Sequence, residues 1–339
     1  MAALDRFDLI VVGCGPAGAT AARVAAEAGL SVMIVDRRRS VGDPPRCAGY
    51  VPAWVKARTR LDDSAILQAV DGVRFVALDG TWREVSAPGY ILDRTRFDKT
   101  LAIHALEAGA DLANALVLRR QGMRVVGRRN GLEAEFAGAC ILGADGPGSV
   151  IGKSIGLFNH QFMATMQYEV GLRQPDVWVE FYRPLEQEEG FAWFVPCGRT
   201  ARIGIGIRRT NARFLKPYLS RFVDRFVADG RIYEGILGCT GGLLPVNGTF
   251  KSARTDGILL AGDAGGLAAP FSGTGIATAV VSGEVAGSLI GAAVGAAAPK
   301  MLVDYDFEVR ARVPAGTPPG LSSLEHLAEQ VARVSQWQG

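Results

Sequence analysis

The stretch from Phe7 to Asp36 constrains this chain more than any other. It reads FDLIVVG, then Cys14-Gly15-Pro16-Ala17-Gly18, then an Ala-rich run to Gly29, then SVMIVD ending on Asp36. An apolar β-rich run, a Gly-punctuated turn, a helix former and a second apolar run within about 30 residues predict a parallel β-α-β unit. In that context the glycines have separate tasks. Gly13 makes the tight turn, Gly15 lets a pyrophosphate approach the backbone, and Gly18 lets helix and strand pack closely. Pro16 and Ala17 open the helix, whose N-terminal N–H groups and dipole attract phosphate. Asp36, about 20 residues past the turn, is placed to accept hydrogen bonds from an adenosine ribose. The fragment predicts dinucleotide binding without separating NAD from FAD.

A second segment separates them. Leu260-Ala261-Gly262-Asp263-Ala264-Gly265-Gly266 ends a strand, and Pro270-Phe271-Ser272-Gly273-Thr274-Gly275-Ile276 begins a helix. An Asp leaving a strand can accept hydrogen bonds from a flavin ribityl chain. The helix start, with Gly273, Gly275 and Ile276, can stabilise negative charge at the flavin N1–C2=O edge. A nicotinamide site needs no such element, so FAD is the expected cofactor.

Nucleotide-binding material thus occurs in separated stretches, with segments of alternating apolar and aromatic residues between them. We expect a discontinuous FAD-binding domain over residues 1–70, 92–160 and 250–300. An antiparallel-sheet substrate domain is expected over 71–91 and 161–249, and a short helical tail over 301–339, with a helix near 322–335. The chain has 339 residues, of which 48% are apolar, enough for a sizeable core. A net charge of +3 gives no support to nucleic-acid binding. Arg37-Arg38-Arg39 is the one basic cluster, read either as a solvated turn or, at Arg37, as a phosphate contact. The five cysteines show no CxxC spacing, so neither a disulfide framework nor a metal site is expected, and a cytoplasmic setting fits. Ile276 to Ala298 is the most apolar stretch. Glu284 and many small residues within it point to a buried helix and not a membrane span.

The pair GCGPAG and GDAGGLAAPFSGTGI resembles the FAD-dependent oxidoreductases related to p-hydroxybenzoate hydroxylase. Gly143-Ala144-Asp145-Gly146-Pro147-Gly148-Ser149 is similar to that superfamily's GADGxxS segment, which implies that Asp145 and Gly146 lie near the flavin pyrophosphate. Lys153 stands where an Arg is usual. Three further matches point to the geranylgeranyl reductase family. Arg94-Thr95-Arg96-Phe97-Asp98 resembles its RxxFD segment, which assigns an FAD contact to Arg94, with Arg96 as a surface competitor. Arg46-Cys47-Ala48-Gly49-Tyr50 resembles its Cys loop beside the isoalloxazine, with Tyr50 in place of a Gly. Phe191-Ala192-Trp193-Phe194-Val195-Pro196, followed by Ile203-Gly204-Ile205-Gly206, resembles its YxWxFP substrate strand and the strand after it.

The resemblance implies an α/β fold, in which a Rossmann-like FAD-binding domain is interleaved with an antiparallel-sheet substrate domain. It places Cys47, Tyr50, Phe191 and Trp193 on the catalytic side, and Ala48 and Val117 with the cofactor-binding residues. The implied reaction saturates C=C bonds of an isoprenoid chain. An external donor, NAD(P)H or ferredoxin, would supply electrons, since no second complete GxGxxG is present. The partner is then an apolar small molecule or lipid, with peripheral membrane contact on substrate grounds. Two other readings stand beside it. One is a flavin monooxygenase or halogenase, for which Lys56 is the candidate lysine. The other is a FAD-binding protein without catalysis. His104, on a predicted amphipathic helix, reads as packing.

Overall fold

The computed structural model describes residues 6–77, 79–182, 190–268, 275–295, 302, 304–312, 329, 331–333, 335 and 336. Strands β1–β16 and helices α1–α7 are numbered in chain order. One eight-stranded sheet holds β1 (Arg6–Val12), β2 (Val32–Asp36), β6 (Asp111–Asn114), β7 (Leu116–Gln121), β8 (Arg124–Arg129), β9 (Leu132–Gly143), β15 (Arg254–Thr255) and β16 (Ile258–Leu260). The other holds β3 (Tyr50–Pro52), β4 (Ile66–Val76), β5 (Trp82–Leu92), β10 (Phe162–Gly171), β11 (Trp178–Tyr182), β12 (Gly190–Cys197), β13 (Thr200–Arg208) and β14 (Gly238–Pro245). The helices are α1 (Pro16–Glu27), α2 (Trp54–Arg58), α3 (Arg94–Glu107), α4 (Val150–Ser154), α5 (Leu215–Ala228), α6 (Gly275–Gly295) and α7 (Tyr305–Arg312).

In the first sheet β16, β9, β1, β2 and β6 run parallel, in that spatial order. Helices cover such strands on both faces, so β1 is apolar along its run from Leu9 to Val12, all of which are buried. The Ala-rich α1 and the small-residue α6 pack against each other and against this sheet. Their approach is set by glycine: a Cβ on Gly283 would lie 2.3 Å from the Ala17 carbonyl oxygen, and one on Gly287 would lie 2.6 Å from that of Ala21. α6 is long and apolar enough to cross a membrane, but 72% of its most apolar window is buried inside the protein.

The second sheet is largely antiparallel, with β11 joining β4 in parallel at its centre. Its pairing moves the expected domain boundary. Tyr50–Pro52 pairs with β5, and β4 starts at Ile66, so part of the 1–70 segment belongs to the second sheet. The expected tail is also less detached than its composition suggests. Buried Tyr305 donates its hydroxyl to the Leu260 carbonyl, while Asp306 accepts from Ser252 Oγ and Ala253 N. α7 therefore braces β16, the strand that leads to Asp263. Most of the helix expected near 322–335 lies outside the described residues.

Gly283→Val is expected to force α6 away from α1 and destabilise the protein by about 1–3 kcal/mol. Thermal denaturation checks this, and an unchanged midpoint would contradict the close helix contact.

Candidate active site

The first turn is built by steric exclusion. Gly13 has φ +103°, and a Cβ there would sit 2.3 Å from the Ala144 oxygen; one on Gly18 would sit 1.9 Å from the Gly13 oxygen. A Cβ on Gly15 meets nothing within 4 Å, because that position opens on a cavity. α1 begins there with Pro in its first turn and no side-chain cap, which leaves its N-terminal N–H groups for a ligand. Asp36 ends β2 beside them, accepting from Cys14 N at 2.6 Å and Arg38 N at 2.7 Å. Burial first, and then Asp36 and Asp98, push the Cys14 thiol up to about 12, so it is a neutral packing group.

The second motif meets the first across the cavity. Gly262 to Gly265 form a single 3-10 turn after β16, and Asp263 opens onto the cavity. Burial pushes its carboxyl up to about 6, with Arg94 opposing the shift. Among the described residues no donor reaches the carboxylate. Asn159 instead fixes the backbone there, donating Nδ2 to the Asp263 carbonyl at 2.8 Å and to that of Pro147 at 3.2 Å. Asp145 is placed differently from Asp263. It accepts from Ser149 Oγ at 2.5 Å and Val150 N at 2.6 Å, so its carboxylate is spent on the start of α4. It and Gly146 still line the cavity.

Arg94, in the first turn of α3, stands between these elements. Its guanidinium grips Asp98 through two contacts of 3.0 Å and also interacts with the Cys47 thiol. Burial penalises its charge, but Asp98 and Cys47 outweigh this and hold it above its ordinary value. Arg96 is exposed and turns to Asp93 and the Ser64 carbonyl, as its surface reading requires. The cation beside Cys47 was not legible in the local sequence.

The far wall comes from the second sheet. Trp193 pairs with Gly204 and Phe191 with Gly206 across β12 and β13. A Cβ on Gly204 would lie 2.2 Å from the Trp193 ring, and one on Gly206 would lie 2.9 Å from the Phe191 ring. The two glycines are therefore a floor on which the aromatic rings lie, 5.4 Å apart. Tyr50 also lines the cavity, but its hydroxyl donates to the Ala87 carbonyl at 2.9 Å and burial raises its pKa. As a catalytic candidate it is thus corrected to a wall residue: its proton is committed to the second sheet.

These surfaces enclose a single cavity of about 670 Å³, within the range of cofactor and ligand sites. Its lining includes Gly13, Gly15, Pro16, Ala17, Asp36, Arg37, Cys47, Ala48, Tyr50, Arg94, Val117, Asp145, Gly146, Phe191, Trp193, Asp263, Gly275 and Ile276. Gly18 lies behind the wall as a packing position, and Gly273 lies outside the described residues. Gln167 and Arg202, which the sequence reading did not single out, hold the Cys47 loop from the second sheet. No Lys or His is among the described lining residues. Lys56, on α2, is bound to Asp63 and does not line the cavity, and neither does His104 on α3.

The donor set fits FAD. Open space at Gly15, a free helix start, and a desolvated Asp263 carboxylate without a donor each match a part of that molecule. Folding raises the pKa of Asp263 above its ordinary 3.8, to about 6. The flavin-free protein should therefore lose stability as pH rises from about 4 to 6, because the unfolded chain releases this proton first. Asp263→Asn should remove that loss, a relative gain on the order of 2 kcal/mol at pH 7, while weakening FAD binding. Urea unfolding at pH 4 and pH 7 measures the first effect and flavin titration the second. Equal pH slopes in both proteins would contradict a desolvated Asp263.

A family model described as lycopene cyclase protein matches residues 8–150. The digeranylgeranylglycerophospholipid reductase of Methanosarcina acetivorans is 32% identical over 300 residues, covering 81% of this chain and 73% of its own. A counterpart in Methanopyrus kandleri is 34% identical over 296 residues, covering 81% and 77%. A geranylgeranyl bacteriochlorophyll reductase-like structure from Thermoplasma acidophilum aligns over 98% of this chain and 92% of its own, with TM-score 0.84 and 27% identity. The myxobacterial chondrochloren halogenase aligns over 90% and 79%, with TM-score 0.71 and 18% identity, and shares the fold alone. With its two glycine motifs, its Cys loop and its aromatic strand around one cavity, the chain belongs to the geranylgeranyl reductase family of FAD-dependent oxidoreductases.

Proposed function

We propose that this protein saturates carbon–carbon double bonds of an isoprenoid chain. The observation that carries the reading is the Phe191–Trp193 wall, which is continuous with the FAD cradle through the Cys47 loop. Bound reduced FAD would supply the hydride. The chain's own residues have three tasks. The aromatic wall binds and orients the apolar substrate, so that encounter becomes a positioned intramolecular step. The open start of α1 and Asp263 hold the cofactor. Arg94 keeps a positive charge beside Cys47, which is the thiol on the cavity wall with a cation next to it. The absence of Lys among the described lining residues, and the position of Lys56 on Asp63, weigh against the halogenase reading.

The electron donor we propose is NAD(P)H or ferredoxin, delivered transiently. We also propose a cytoplasmic location with peripheral membrane contact. Support comes from the apolar substrate class and from α5 and its approach, where Arg209, Arg213, Lys216, Arg221 and Arg225 are exposed against Asp224 and Asp229. Such a surface suits anionic headgroups.

Anaerobic mixing of dithionite-reduced protein with geranylgeranyl diphosphate is expected to reoxidise the flavin and add two hydrogens per saturated double bond to the lipid. Flavin that stays reduced over unchanged lipid, then reoxidises rapidly on adding oxygen, would instead favour a monooxygenase. Cys47→Ser should retain FAD and lower turnover by about tenfold or more. Unchanged turnover would return Cys47 to a packing role.

A further inference from the structure

Gln167 is a buried amide in a wall that is otherwise suited to apolar matter; it is only 7% exposed. Its position on β10 places it opposite Gly204, the residue beneath the Trp193 ring. Three hydrogen bonds of its amide are directed at the site. Oε1 accepts from the Trp193 indole N–H at 3.2 Å. Nε2 donates to Thr240 Oγ1 at 3.1 Å and to the Cys47 carbonyl oxygen at 3.4 Å. One side chain therefore touches the substrate-side aromatic, the edge strand β14 and the Cys47 loop. Arg202, two residues before Gly204, holds the same loop at the next carbonyl, donating Nη1 to Ala48 O at 2.9 Å and to Leu92 O at 3.2 Å.

A buried amide without partners costs more than an apolar residue of the same shape, so its satisfied pattern fixes one arrangement of its neighbours. Were the wall only a greasy surface, Leu or Met at 167 would serve it equally well. What the amide adds is a set distance between Trp193 and Cys47. Those two groups belong to segments more than a hundred residues apart, and no backbone ladder joins them directly.

We propose that Gln167 is a positioning residue, which locks the Cys47 loop to Trp193 and so fixes where the substrate double bond lies relative to Cys47. The proposal rests on the reductase reading for its effect on turnover, but not for its effect on the loop. It acts through Trp193 and Cys47 and takes no part in proton or hydride transfer itself.

The test compares Gln167→Met, which keeps volume and loses the amide, with Gln167→Glu, which keeps the acceptor for Trp193 and loses the donors to Cys47 and Thr240. The flavin-loaded proteins are treated with iodoacetamide, and alkylation of Cys47 is followed by peptide mass analysis, with exposed Cys239 as internal control. Both variants should alkylate faster at Cys47, by about threefold or more, with Cys239 unchanged. With geranylgeranyl diphosphate as substrate, kcat should fall by about tenfold or more while KM moves much less. Trp193→Phe added to Gln167→Met should cost less than the two single losses multiplied together, because both remove the same link.

Unchanged Cys47 alkylation in both variants would overturn the proposal, as would a doubly substituted protein whose losses simply multiply. If one variant fails to hold FAD, the other carries the same test. If the wild type fails to reduce the lipid while Cys47 alkylation still responds to Gln167, the reductase reading falls and the loop lock stands.

Discussion

One guanidinium, that of Arg94, is where the separate parts of this chain meet. It grips Asp98 on its own helix, lies against the Cys47 thiol of an earlier loop and offsets the desolvation of Asp263 in a turn far downstream. A buried cation is tolerable only when such partners surround it, and removing one of a close set costs far more than a surface pair does. The Cys47 loop, the RxxFD helix and the Asp263 turn come from three separated stretches of the chain and meet at this one charged group. The result places a paired guanidinium between the open start of α1 and an apolar wall, an arrangement suited to a flavin with an apolar substrate.

The second sheet contributes shape more than charge. Gly204 and Gly206 remove side chains just where the Trp193 and Phe191 rings lie, so that both rings can line the cavity. Strand glycines normally weaken a sheet. Here the loss is offset by ring burial and by the hydrogen bonds that Gln167 and Arg202 send back to the Cys47 loop. Substrate-side shape and cofactor-side loop are thus set by the same three neighbouring strands, β10, β12 and β13, which ties the proposed specificity to the proposed chemistry.

Much of this was legible in the sequence, for a physical reason. The motifs at Gly13–Gly18 and Gly262–Asp263 combine glycines at fixed spacing with a strand before and a helix after, so residue type and order are enough to identify them. The register of β12 against β13 is fixed by the tight turn at Gly198-Arg199, but the resemblance supplied the Trp193 strand without saying why glycines follow it. Gln167 escaped notice because its partners are distant: 120 residues separate it from Cys47 and 73 from Thr240. Tyr50 stood out as a bulky departure, but only the pairing of β3 with β5 reveals that its hydroxyl is committed to Ala87. The boundary of the first domain was misjudged for the same reason, since Tyr50–Pro52 looks like loop until β5 pairs with it. Asp145 and Asp263 both end motifs of similar appearance, yet one caps a helix and the other opens onto the cavity, a difference set by the chain that follows each.

The central claim is that a single space between the two sheets holds both the FAD and the group it reduces. Determining the structure of the protein crystallised with FAD tests this most directly. The account predicts flavin density running from the start of α1 past Asp36 and Asp263, with the isoalloxazine between the Cys47 loop and the Trp193 wall. A flavin whose ribityl chain lies away from Asp263, or whose ring sits outside the space between the sheets, would contradict it.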